Sequence, residues 1–135
     1  RIGFLAAKAD LRQPDPIRRG VFITRAFLCR SLPPPAPDVP AVPTSGAPTN
    51  RERVEALTGL GTCGEACHVL INPLGFALEH YDAAGQHRQT DNGVPVNSVA
   101  TYPFETGAAD VRDGEDEPAV EQVQALDRVG PRARA

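Results

Sequence analysis

Apolar positions along the chain fall into short periodic segments divided by proline and glycine. Leu74, Ala77, Leu78 and Tyr81, at spacings of 0, 3, 4 and 7, predict a short helix from Leu74 to Tyr81 with one apolar face. Asn72-Pro73 breaks whatever turn precedes it. Upstream, Ile17, Val21, Phe22, Ile23, Ala26, Phe27 and Leu28 follow Asp15-Pro16, a preferred N-cap and a residue suited to the first helical position, so a helix is predicted from Pro16. Its apolar residues cover most of the circumference. That implies burial on more than one side, with Arg18, Arg19, Arg25 and Arg30 kept in water. A strand through Val21 to Leu28 is the competing reading.

Thr49 followed three residues later by Glu52 is a capping box, which predicts a helix from Asn50 to Thr58. Gly59 and Gly61 end it as residues that accept left-handed dihedrals. Ile2 to Leu11 has room for one or two helical turns. Beyond Asp82 the period changes: Gln86 to Thr90 and Val94 to Asn97 flank Asp91-Asn92-Gly93, the signature of a short hairpin, and Pro95 confines its strand to an edge. Val120, Val123, Leu126 and Val129 recur every three residues and fit a weak amphipathic helix. The predicted fold class is mainly α, a small helical module with a proline-rich strap and one hairpin.

The strap is residues 33–48, which hold seven of the fourteen prolines and read as a stiff, polyproline-like connector. The packed domain is drawn at 1–105. Residues 106–135 form an acidic tail whose composition leaves disorder open. Roughly 90 residues remain to build a core, a number that is marginal without a staple. The chain opens at Arg1 in the middle of an apolar phrase, which reads as a piece of a larger protein. A net charge of −3 gives no electrostatic case for nucleic acid or an anionic membrane, and no apolar run is long enough to span a bilayer.

Chemistry concentrates at Cys63-Gly64-Glu65-Ala66-Cys67-His68. Two thiols followed directly by histidine is the order demanded by covalent haem attachment: the sulfurs form thioethers with the vinyl groups and the imidazole ligates iron. Three residues separate the cysteines here, one more than the usual two, and a looser loop absorbs the extra one. The chain has no methionine, so a second axial ligand from within it has to be something else. His80, twelve residues beyond His68, is the nearer candidate. His87, on the hairpin, reads as surface. Two other readings stay open. Cys63, Cys67 and His68 with Cys29 would make a tetrahedral metal set, or Cys63 and Cys67 close a small disulfide in a scaffold module. Cys29 otherwise reads as a small buried hydrophobe. No nucleophile elbow, phosphate loop or His-Glu-x-x-His points to hydrolysis or group transfer, and Glu79 and Asp82 read as partners of the following turn and of Arg88.

Asp15-Pro16-Ile17-Arg18-Arg19-Gly20, Leu28-Cys29 ahead of Leu32-Pro33-Pro34-Pro35, the Thr49 to Glu55 helix start, the Cys-His site and Asn72-Pro73-Leu74-Gly75-Phe76-Ala77-Leu78-Glu79 stand in this order. With them the chain resembles the cytochrome-c-like domain of unknown function found in large secreted proteins of the planctomycete-type cytochrome c group, over about residues 1–105. Glu79, Asp82, Gly85 and Arg88 keep the family spacing. The resemblance implies Cys63 and Cys67 as thioether cysteines, His68 as the proximal iron ligand and haem c as cofactor. It also implies an electron-transfer module in the periplasm or outside the cell, with neighbouring domains and a redox partner.

Overall fold

Asp15 opens the longest helix. Its carboxylate accepts the Arg18 N–H at 2.8 Å, and with Pro16 in the first turn α2 runs Pro16–Ala26 as predicted, in place of the competing strand. The structure, a computed structural model, describes residues 2–10, 12–34, 46–62 and 64–112. The middle of the strap, Cys63 and the segment from 113 onward, including the weak helix read there, lie outside the described residues. α1 (Ile2–Ala7) precedes α2, and α3 (Asn50–Thr58) follows the strap. The capping box forms: the Thr49 hydroxyl accepts the Glu52 N–H, and the Glu52 carboxylate accepts the Thr49 N–H at 3.0 Å. Gly59 closes α3 in an extended conformation at φ −77°, and Gly61, at φ 82°, is the one that turns left-handed.

After α4 (Glu65–His68) and α5 (Asn72–Phe76), the chain crosses residues 77–80 in turns. The helix predicted to reach Tyr81 therefore stops at Phe76, although Leu74, Ala77 and Tyr81 are buried as its apolar face requires. Arg19 supplies the reason. Its guanidinium donates to the carbonyls of Leu78 (3.1 Å), Tyr81 (2.7 Å), Asp82 (2.7 Å) and Leu5 (3.3 Å), taking acceptors that a continued helix would bond internally or leave bare. The expectation that Arg19 stays in water is thus overturned: its side chain is fully buried.

The fold class is mixed α/β, a correction to the mainly α expectation. Among the described residues five short helices are joined by two separate antiparallel hairpins. The predicted hairpin is β1 (Thr90–Asp91) with β2 (Val94–Pro95), turning through Asn92 at φ 51° and Gly93 at φ 82°. The second, β3 (Ala100–Phe104) with β4 (Gly107–Val111), turns through Glu105 and Thr106. Its strands carry Pro103 and a run of small and acidic residues, so local propensity conceals them. What holds them is Tyr102, 1% exposed, in a strand that packs on α5.

α2 and α5 form the central packing, and glycine lets them meet. A Cβ on Gly20 would overlap the Ile71 carbonyl oxygen, and one on Gly75 would overlap that of Pro16. The face of α2 turned inward is Pro16, Arg19, Gly20 and Thr24, while Ile17, Val21, Phe22 and Ile23 are only half-buried and Phe27 is exposed. Burial on several sides of this helix, as the apolar pattern implied, does not occur. Cys29 is also exposed rather than buried, at φ 52° just past the end of α2, where the chain must reverse.

A second buried polar knot ties the 77–91 segment to α3. Arg88 pairs with Glu79 and with Asp91, each at 2.8 Å, and Asp91 accepts the Asn50 N–H at 2.6 Å. Asp82 caps its own turn through the N–H groups of Ala84 and Gln86, so the structural reading of Glu79 and Asp82 holds. Burial raises the pKa of Glu79 above its ordinary 4.5; Arg88 and Arg19 pull it back, Asp91 pushes it up, and the Asn50 amide lowers it. The folded chain consequently holds this proton more tightly than the unfolded chain. The contribution of Glu79 to stability is complete below pH 4.5 and declines as pH rises through the raised folded value. Urea unfolding of the wild type minus that of Glu79→Gln, followed across this window, is expected to show stability falling with pH; a rising difference would contradict the assignment.

Candidate functional site

The approach to the Cys-His turn is built from hydrogen bonds local in sequence. The Thr62 hydroxyl donates to the Gly59 carbonyl at 2.8 Å, the Gly61 N–H donates to the Glu65 carboxylate at 2.8 Å, and the Gly64 N–H reaches the Thr62 hydroxyl. These close the 59–64 loop and start α4, a single turn in which Cys67 and His68 both bond back to the Gly64 carbonyl. Cys67 is a half-buried free thiol, and His68 beside it is half-buried as well. Cys63, the other expected sulfur, lies outside the described residues.

His68 and Asn72 are four residues apart, His68 at the end of α4 and Asn72 at the start of α5, and their side chains meet: His68 Nδ1 lies 2.9 Å from Asn72 Oδ1. The Asn72 amide in turn donates to the Thr58 hydroxyl at 2.8 Å. Asn72 and Thr58 are both buried. Sequence reasoning treated Asn72 as a helix breaker and Thr58 as a helix end. The i, i+4 spacing from His68 to Asn72 was the available signal, whereas Thr58 is brought in only by the fold. Leu60 (87% exposed) and Val69 (43% exposed) leave apolar surface on either side of the Cys-His pair in the chain.

The remaining histidines follow α5 in the chain. His80 is buried in the turns after α5, its ring stacked on exposed His87 at 5.4 Å with Tyr81 edge-on to His87. Among the described residues no three His, Cys, Asp or Glu side chains converge as a metal cluster, so Cys29 does not join Cys67 and His68 there.

A metal or prosthetic group tests this donor set by its chemistry. His68 is held through Nδ1, which leaves Nε2 as the nitrogen that would face a metal, the arrangement in which metal-binding histidines are ordinarily supported. A free thiol stands at the preceding residue. The residues described thus fit a haem c through Cys67 and His68.

Fold and site together define a small mixed α/β domain organised about a Cys-His turn. The family model PSCyt3, a protein of unknown function (DUF1588), matches residues 1–91, and the chain belongs to that family. The name points to a planctomycete cytochrome-like domain, in keeping with the resemblance carried by the motifs, and the match takes in every helix among the described residues and the Cys-His turn. No curated protein and no solved structure matches the chain. No helix among the described residues is long and apolar enough to cross a membrane.

Proposed function

We propose that the domain carries a covalent haem c and serves electron transfer as one module of a larger exported protein, in the periplasm or outside the cell. The observation that carries this reading is the consecutive placement of a free Cys67 thiol and a His68 tethered by one nitrogen on a single half-buried turn. Cys63 and Cys67 would hold the haem through thioethers, and His68 would ligate its iron through Nε2. When bound, the haem supplies a one-electron ferric/ferrous couple. The apolar surface at Leu60 and Val69 is of the kind a haem plate covers, and a covalent plate would staple a core this small. His80 or a residue of a neighbouring domain would supply a second ligand to the iron.

Intact mass and a pyridine haemochrome spectrum, taken after expression with a working c-haem maturation system, test the proposal. The expected result is a gain of one haem that disappears in Cys67→Ala. Maturation without haem, in cells where a cytochrome with a two-residue gap acquires it, would overturn the reading. A mass reduced by two hydrogens, and reduced equally in Cys29→Ala, would then assign Cys63 and Cys67 to a disulfide and the domain to a scaffold.

A further inference from the structure

Thr58 sets the direction of the polar chain that ends at His68. Its hydroxyl lies 2.6 Å from the Val54 carbonyl oxygen, and a carbonyl only accepts, so the hydroxyl donates there. The lone pairs it has left face Asn72 Nδ2 at 2.8 Å, which donates to them. The amide is thereby oriented with Oδ1 toward His68, 2.9 Å from Nδ1. An amide oxygen only accepts as well, so the proton of the neutral ring has to sit on Nδ1 and the lone pair on Nε2. Thr58 is 8% exposed and Asn72 6%, which leaves little water to compete for either. On the other side of the ring, a Cβ on Gly64 would stand 3.3 Å from both His68 Cδ2 and Thr58 Cα, so backbone rather than a side chain closes in there.

We infer that Thr58 and Asn72 are positioning residues which fix the tautomer of His68 and so decide that Nε2 is the nitrogen offered to a metal. As applied to iron, this rests on the haem reading proposed above; as a statement about the imidazole, it stands on the three hydrogen bonds alone. With iron bound, the hydrogen bond from Nδ1 would govern how basic the ligand is, and through that the reduction potential.

Two measurements on the full chain separate these levels. In the haem-free protein, at a pH where the ring is neutral, long-range proton–nitrogen NMR correlations of His68 report the tautomer directly. Wild type is expected as the Nδ1–H form. Asn72→Leu, which removes the acceptor, and Thr58→Val, which lets the amide turn over, are each expected to shift the tautomer ratio toward Nε2–H by a factor of roughly ten, the effect of one lost hydrogen bond. Thr58→Ser restores the wild-type ratio. Asn72→Asp keeps an acceptor and the Nδ1–H form, and it serves if the leucine variant fails to fold. An Nε2–H tautomer in wild type, or ratios unmoved by Thr58→Val and Asn72→Leu, would overturn the inference. In haem-loaded chains, Asn72→Asp is expected to lower the potential and Asn72→Leu to raise it; equal potentials in all three proteins would remove the tuning role. A chain that takes up no haem yet shows the tautomer shifts would sink the cofactor reading and leave the relay in place.

Discussion

Replacing Arg19 by methionine is expected to remove a large part of the stability of the folded domain. Methionine matches much of the apolar length of arginine, so the effect isolates the guanidinium. That group donates to four backbone carbonyls contributed by α1 and by the 78–82 turns, and the side chain is shielded from water. Without it, the Leu5 and Tyr81 carbonyls lose this donor at a buried junction, while those of Leu78 and Asp82 keep the N–H groups of Tyr81 and Gly85. A stranded buried polar group costs about 1–3 kcal/mol, so two of them cost about 2–6 kcal/mol. Small domains have only about 5–15 kcal/mol in total. Burial also presses the Arg19 pKa below its ordinary value, against the opposing pull of Glu79, a sign of how strongly this cation is desolvated. Arg19→Lys is expected to recover little, because one ammonium cannot reach the spread of carbonyls a planar fork spans. Urea unfolding followed by circular dichroism reads the loss. Arg18→Met, on the exposed side of the same helix, is the control and is expected to change stability by no more than about 0.5 kcal/mol. A wild-type midpoint for Arg19→Met would refute the role assigned to the guanidinium.

The second large effect is expected from a single methyl group. Alanine is ordinarily about 1 kcal/mol better than glycine inside a helix, yet Gly75→Ala and Gly20→Ala are both expected to destabilise. At each position the added carbon would overlap a carbonyl oxygen of the opposing segment, and backbone cannot swing away as a long side chain does. Overpacking of this sort costs about 1–3 kcal/mol, and more where the obstacle is rigid. A loss of that size lowers the melting temperature of a domain this small by several degrees for each kcal/mol. Gly3→Ala in α1 supplies the opposite sign. It meets nothing within 4 Å, and its melting temperature is expected to rise slightly. If Gly75→Ala melted at or above wild type, the close crossing of α2 and α5 would be wrong. The same crossing carries Asn72, the first residue of α5, toward Thr58, so a displaced α5 is also expected to disturb the hydrogen bonds beneath His68.

Where interactions are local, the elements were legible in the chain. The Asp15 cap, the Thr49/Glu52 capping box, the Asn92-Gly93 turn and the Cys-His order each depend on residues within a few positions, and their geometry follows from those side chains alone. Membership in the family was legible for the same reason, in motifs that stand in a fixed order. Tertiary structure decided what distant partners supply. Arginine is normally read as a solvated residue, and only the carbonyls gathered from α1 and the 78–82 turns explain why Arg19 is inside. A strand with proline and alanine has little intrinsic preference, and Tyr102 packing on α5 makes β3. The apolar side of α2 is only half-buried because the glycine contact with α5 selects its polar face. At the site, Cys67 and His68 could be read from spacing. The proton on Nδ1 could not, because its position is settled by a hydroxyl on α3 acting through an amide on α5, and no local pattern records that a threonine ten residues upstream completes the chain.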